Sequence, residues 1–458
     1  MGEAIPKDVK DLWDKWNIRG LVILSLALQT ILVLLSPNRK RTHRRFFRFL
    51  IWSAYLLANW AAEYAVGQIS ENQGDEPQPK NNDLLAFWST FLLLHLGGPD
   101  TITALALEDN NLWLRSLFGL VCQAIITLYI FLLSIPNNLL VPTSLMLVAG
   151  IIKYVERIQA LRGASLETFK DSMLGEPDPG PDYARIMEEC SARKMLRERT
   201  EVVRIEEAEK GQRPKVKVRP DTVLTHLEVV QYAYKYFNIF KGLVVDLIFS
   251  SQSEQWNNSK EFFLSLDAEE ALRVLEVELS FIYGTFFTKV DILHTRIGFA
   301  FRFIALASLV SSLCIFTKAK KHDYNRFDVG LTYALLIGGI ALEIVAFIIF
   351  CVSDWIVARC RKLKEDVEDE DTWVDKCLNS LLGFRELNWK SCSCPHKNGK
   401  LIIYVLDFFG ISDQLHGVIY TSRNRITKDM WELVFKEVKR RSEAVDGAES
   451  ANGIYSTR

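Results

Sequence analysis

The sequence predicts an all-α fold: a polytopic helical membrane protein with about seven transmembrane helices, a helical cytosolic insert and a helical C-terminal region. Three observations predict it. Long apolar runs almost free of charge alternate with stretches dense in Lys, Arg, Asp and Glu, so the mean hydropathy of +0.07 averages two unlike kinds of segment. Seven runs approach the ~20 residues that a helix needs to cross a ~30 Å hydrocarbon core. The links between them differ in charge as the two faces of a membrane do.

The first run, Leu21 to Leu35, is short and borrows Trp16 and Ile18 as an interfacial lead. Phe46 to Val66 follows, with Arg48 and Glu63 near its ends, and Leu84 to Leu96 is the weakest of the set. Leu117 to Ile135, Leu139 to Val155, Ile297 to Phe316 and Val329 to Cys351 complete it. Arg39, Lys40, Arg41, Arg44, Arg45 and Arg48 mark the link after the first run as cytosolic. Glu71, Asp75, Glu76 and Asp83 against Lys80 mark the next link as the opposite face. Lys153, Arg157 and Arg162 after the fifth run are cytosolic again, and this parity requires the weak third run to cross. Lys318, Lys320, Lys321 and Arg326, between the last two runs, run against the scheme.

The expected domains are a five-helix membrane part (1–155), a cytosolic helical insert (156–296), a two-helix transmembrane hairpin (297–355) and a cytosolic C-terminal region (356–458). Within the insert, Val223 to Phe249 suggests a small core or interfacial segment. Asp267 and Glu270 resemble a capping box opening an amphipathic helix through Leu272, Leu275, Leu279, Ile282 and Phe286. A later helix from about Thr427 carries Trp431, Phe435 and Val438 on one face. The lipid bilayer is the expected surrounding, at the plasma membrane or endoplasmic reticulum, with possible cytosolic protein partners. A net charge of -1 gives no reason to expect nucleic acid. Eight cysteines without repeated spacings argue against a disulfide framework, and the N-terminus lacks the pattern of a cleaved signal.

The most distinctive local string is HLGGPD, His95 to Asp100. Gly97, Gly98 and Pro99 interrupt a helix there, since proline lacks a donor and clashes with the preceding turn, and Asp100 is placed to cap a helix resuming at Thr101. Two readings stand. One is a tight turn at the cytosolic surface; the other is a broken helix whose freed carbonyls, with His95, Asp100, Thr103, Glu108 and Asp109, coordinate an ion or substrate. Arg302 and Glu343 lie inside the two clearest apolar runs, where an ionisable group needs a partner, and are expected to form an intramembrane ion pair. Cys392, Cys394 and His396 form a CxCxH string without standard zinc spacing, so no metal or cofactor is assigned. Asn257, Asn258 and Ser259 spell a glycosylation acceptor that the topology leaves in the cytosol. Phosphate-loop, dinucleotide, HExxH and nucleophile-elbow motifs do not occur, so no catalytic residue is named and an enzyme is not expected.

Four strings, HLGGPDTITALALEDNNLWLR (His95 to Arg115), KYVERIQALRGAS (Lys153 to Ser165), LEVELSFIYGTFFTK (Leu275 to Lys289) and SDW (Ser353 to Trp355), resemble the plant family of domain of unknown function 4220. The resemblance implies a multi-pass plant membrane protein without an established activity. It also implies a second C-terminal domain, of unknown function 594, which is expected to be missing here. With no catalytic motif and a large cytosolic insert, the expected role is a membrane-anchored interaction or scaffold protein. The alternative is a transporter or channel for a small solute or ion, using His95 to Asp100 and the Arg302/Glu343 pair.

Overall fold

A computed structural model describes residues 7–40, 45–75, 79–173, 201–202, 224–245, 247–248, 254–321, 324–360 and 428–455. Each of the seven apolar runs corresponds to a helix, to within two residues at its ends: α1 (Lys7–Leu35), α2 (Arg45–Asp75), α3 (Pro79–Leu96), α5 (Trp113–Leu133), α6 (Leu140–Gly163), α12 (Arg296–Lys318) and α13 (Arg326–Cys351). Short helices α4 (Leu107–Asn111) and α7 (Leu166–Asp171) flank α5 and α6. The remaining helices are α8 (His226–Phe240), α9 (Glu254–Ser265), α10 (Ala268–Phe287), α11 (Val290–Leu293), α14 (Asp354–Cys360) and α15 (Lys428–Tyr455). The extended structure among the described residues is a two-residue parallel pairing of Glu201–Val202 with Leu247–Ile248.

The chain forms two compact units. The first comprises residues 1–211, 234–250 and 278–362, so it includes 156–211, 234–250 and 278–296 from the stretch that the sequence assigns to an insert. Local chemistry sets its helix ends. Pro79 occupies the first position of α3, where its missing N–H costs no hydrogen bond. Thr295 caps α12 by accepting from the Gly298 N–H at 3.0 Å, and Asn325 caps α13 by accepting from the Phe327 N–H at 3.0 Å.

The weak third run is the centre of this unit. Almost every residue of α3 from Leu84 to Leu96 is buried, in one core with residues of α1, α2, α5, α6, α12 and α13. Two polar residues in the middle of α3 are satisfied within the helices: Trp88 Nε1 donates to Thr332 Oγ1 at 3.0 Å, and Thr90 Oγ1 donates to the Phe87 carbonyl. Outward, the unit shows apolar side chains. Phe118, Ile125 and Leu132 on α5 are 71%, 61% and 55% exposed, an apolar surface that suits hydrocarbon better than water. Four helices, Trp16–Asn38, Trp113–Leu133, Arg296–Lys318 and Arg326–Cys351, are long and apolar enough to span a membrane.

In the first unit, the aromatic part of Val223 to Phe249 forms a core. Phe237 and Phe281 lie 5.6 and 5.0 Å from the Trp355 ring, centroid to centroid. The helical period read from Leu272 to Phe286 is present in α10, but the buried stripe is Ala271, Val274, Phe281 and Phe286, while Leu279 is exposed. Spacings of three and four fit neighbouring faces equally, and burial of small Ala271 decides between them.

The second unit comprises 212–233, 251–277 and 363–458. In it, α15 packs one edge on α9 and α10: Trp431 Nε1 donates to the Ala268 carbonyl and Lys439 Nζ to the Leu264 carbonyl. Val438 falls on the same helical face as Trp431 and Phe435 by its spacing, but its side chain is exposed, as are those of Met430, Leu433 and Val434. The CxCxH string and Cys377 lie outside the described residues.

Candidate functional site

α3 ends because its last turn closes on glycine. Gly98 has φ +65°, a left-handed conformation that a side chain disfavours, and its N–H donates to the His95 carbonyl at 2.9 Å. Gly97 permits close contact with α6, since a Cβ there would sit 2.7 Å from Lys153 Cβ and 2.8 Å from its carbonyl carbon. The chain does not return to helix at Thr101. It stays irregular through Ala106 until α4 begins at Leu107, so Asp100 caps no helix there.

Main-chain carbonyls of this broken segment are held by side chains of the protein. Arg157 Nη1 donates to the Leu96 carbonyl at 2.8 Å, and Lys289 Nζ donates to the Gly98 carbonyl at 3.0 Å. Tyr55 Oη donates to the Thr103 carbonyl at 2.7 Å, while Arg39 reaches the Ala104 and Leu105 carbonyls. Backbone bonds from Thr103 N to Phe287 O and from Lys289 N to Asp100 O fasten the segment to the chain that follows α10.

That path carries Asp100 into a buried charge cluster. Its Oδ2 accepts from Arg302 Nη2 at 2.6 Å, and its Oδ1 lies 3.8 Å from the ammonium groups of both Lys153 and Lys289. Lys153 in turn pairs with Glu343, at 2.9 and 3.1 Å from the two carboxylate oxygens. Burial alone would raise the Asp100 carboxyl, but Lys153, Arg302 and Lys289 outweigh it and hold it down at about 2. Lys289 is fully buried, and burial lowers it to about 8 against the pull of Asp100.

The expected direct pair of Arg302 with Glu343 is therefore corrected: each takes a different partner. The broken segment delivers a carboxylate to Arg302, and α6 delivers an ammonium to Glu343. Arg302 also lies over the rings of Phe347 and Phe350, 5.6 and 5.2 Å from their centroids. Buried ion pairs of this kind recover their desolvation cost only with good geometry, so gathering this many charges in one place is an expensive arrangement.

Beside the cluster is a cavity of about 50 Å³ whose wall includes Gln29, His95, Asp100, Lys153 and Glu343. One water needs roughly 10–15 Å³ on this measure, so the space suits a few waters or one small ion. His95 is buried, with Nδ1 2.8 Å from Ser25 Oγ, its ring edge-on to Phe91, and Nε2 without a hydrogen-bond partner among the described residues. Gln29 Nε2 donates to the His95 carbonyl at 2.9 Å. Glu156, also on α6, is fully buried, and among the described residues neither of its carboxylate oxygens has a hydrogen-bond partner.

His95, Gly98, Pro99, Asp100 and Glu343 thus share one pocket, and Gly97 sets the α3–α6 contact next to it. Glu108 and Asp109 stand apart. Glu108 is exposed, and Asp109 accepts from the Leu105 and Ala106 N–H groups at 2.8 and 3.0 Å to start α4. Sequence reasoning assigned Lys153 only a topological meaning and passed over Glu156 and Lys289. The available signal was that three of the strings carrying the family resemblance supply Asp100, Lys153 with Glu156, and Lys289.

These features define a helical protein with membrane-length apolar helices packed around a charge-lined pocket under a broken helix. The family model described as domain of unknown function, DUF4220, matches residues 52–397, and the chain belongs to that family. No curated protein and no solved structure matches it.

Proposed function

We propose that this is a multi-pass membrane protein of seven crossings that binds and passes a single small ion at the pocket beneath the broken helix. The observation that carries this reading is the cavity of about 50 Å³ walled by His95, Asp100, Lys153 and Glu343. Ionisable groups buried within a helical membrane bundle are costly, and a functional role offsets that cost. The cavity volume favours an ion over an organic solute. Purified protein in proteoliposomes tests the reading: one of H⁺, Na⁺, K⁺ or Cl⁻ is expected to cross faster than in protein-free vesicles. Glu343→Gln is expected to cut that rate at least tenfold. Absence of flux for all four ions overturns it.

A second reading, a membrane-anchored interaction protein, is favoured by a separate observation in the second unit. Met430, Leu433, Val434 and Val438 form an exposed apolar stripe on α15, 49% to 69% exposed. Proximity labelling that returns no reproducible partner counts against it.

A further inference from the structure

We infer that the ion handled at this pocket is the proton, relayed between Glu343 and His95, with the Lys153 ammonium acting as a tethered cation between two carboxylates. This inference rests on the ion-handling reading above and names its substrate.

Three candidate ions can be compared against the wall of the cavity. A metal cation needs several oxygen ligands at short range. Here the space between Asp100 and Glu343 already holds the Lys153 ammonium, 3.8 and 2.9 Å from their oxygens. Arg302 and Lys289 further occupy Asp100, and among the described residues no group of three or more His, Cys, Asp or Glu could hold a metal ion. An anion meets two carboxylates against one ammonium in the wall. A proton needs neither space nor a coordination shell, only a base that can accept it and a route of a few waters.

The bases are present. His95 is 6% exposed and lines the cavity; Ser25 engages Nδ1, and the buried Nε2 has no hydrogen-bond partner among the described residues, which makes it the unengaged base of the ring. Glu343 is the most exposed of the pocket's ionised groups, at 17% of its side chain, and forms the outer end of the relay. A proton arriving on a Glu343 oxygen neutralises the carboxylate and releases its hold on Lys153. The ammonium then remains near Asp100 and Glu156. Transfer of the proton from the Glu343 carboxyl O–H to His95 Nε2 regenerates the carboxylate and leaves an imidazolium, and the Lys153 pair re-forms.

The charged and titratable groups of the surrounding elements are Asp100 from the broken segment, Lys153, Glu156 and Arg157 from α6, Lys289 before α11, Arg302 from α12 and Glu343 from α13. From α1 the facing groups are the non-titrating Ser25 and Gln29. From α2 they are Tyr55 and Asn59, both bound to Arg157, with the exposed Glu63 nearby.

The experiment uses the full chain in vesicles with an entrapped pH-sensitive dye, an imposed pH gradient and the membrane potential clamped by a potassium ionophore. Proton entry is expected above the protein-free rate, falling at least tenfold in Glu343→Gln and in His95→Gln. Glu108→Gln is expected to keep the full rate. Infrared difference spectra of the unmodified protein across the same pH range supply a second readout that does not depend on a variant folding. Protonated-carboxyl absorption is expected to grow on acidification, and Glu343→Gln removes one component of it where that variant remains monodisperse. Flux of Na⁺, K⁺ or Cl⁻ without proton flux overturns the proton inference and leaves ion handling standing. Absence of all flux overturns both, and proton flux unchanged by both substitutions overturns the assignment to Glu343 and His95.

Discussion

Asp100→Asn should be among the most damaging conservative substitutions in the chain. The change is nearly isosteric, but it removes the negative charge that faces Arg302 at 2.6 Å and Lys153 and Lys289 at 3.8 Å. Removing one partner of a buried ion pair typically costs about 3–5 kcal/mol, because the other charge is left uncompensated. At about 1.4 kcal/mol per decade, even the lower figure is a change of more than a hundredfold in the folding equilibrium. Denaturant unfolding in detergent micelles, followed by tryptophan fluorescence, measures it. A double-mutant cycle of Asp100→Asn with Arg302→Gln isolates the pair, and groups in one network are expected to couple by roughly 0.5–3 kcal/mol. A parallel cycle of Arg302→Gln with Glu343→Gln should give a smaller coupling, since the two side chains take different charge partners, Asp100 and Lys153. The reasoning is refuted if the Asp100–Arg302 cycle is additive within about 0.5 kcal/mol, or if the Arg302–Glu343 coupling is the larger.

Other perturbations test separate parts of the structure. Gly97→Ala should destabilise more than Gly98→Ala: the first drives a methyl into the Lys153 backbone, an overpacking cost of about 1–3 kcal/mol, whereas the second adds mainly the left-handed backbone penalty of roughly 1–2 kcal/mol. Comparing their thermal midpoints in detergent decides it. Burial raises the Glu278 carboxyl to about 7 from the ordinary 4.5, so the folded state binds its proton more tightly than the unfolded one. Stability is therefore expected to fall as pH rises from about 4.5 through 7, and Glu278→Gln should flatten that part of the pH profile. If Asn257 is cytosolic, glycosidase treatment of the protein from a eukaryotic host should leave its mobility unchanged at this acceptor. Leu433→Ser with Val438→Ser should alter stability by no more than about 0.5 kcal/mol per site, as expected for exposed positions, while reducing any partner captured by proximity labelling.

Much of the helical framework was legible because apolar length is a direct consequence of the medium a helix must sit in. The run from Val329 to Cys351, read from length and composition alone, falls within the helix Arg326–Cys351, and all seven runs correspond to helices. The third run looked weak for a physical reason. α3 is enclosed by other helices, so Ser89, Thr90 and Trp88 are tolerated through local hydrogen bonds, and a helix without a lipid face need not be uniformly apolar. The candidate site was half legible. HLGGPD announced a helix break, and Arg302 and Glu343 announced buried charge, but their partners depend on where the irregular segment runs. Asp100 and Arg302 are separated by 202 positions, and Lys153 and Glu343 by 190, distances over which spacing carries no information. Lys153 and Lys289 were obscured because a lysine at the edge of an apolar run serves equally as a topological marker.

Electrical recording from proteoliposomes adsorbed on a supported membrane tests ion handling at the pocket most directly. A rapid pH step across wild-type vesicles is expected to produce a transient current that Glu343→Gln abolishes and Glu108→Gln, on the exposed side of α4, preserves. No current from steps in pH, Na⁺, K⁺ or Cl⁻, or currents of equal size in wild type and Glu343→Gln, would contradict a functional role for the His95, Asp100, Lys153 and Glu343 pocket.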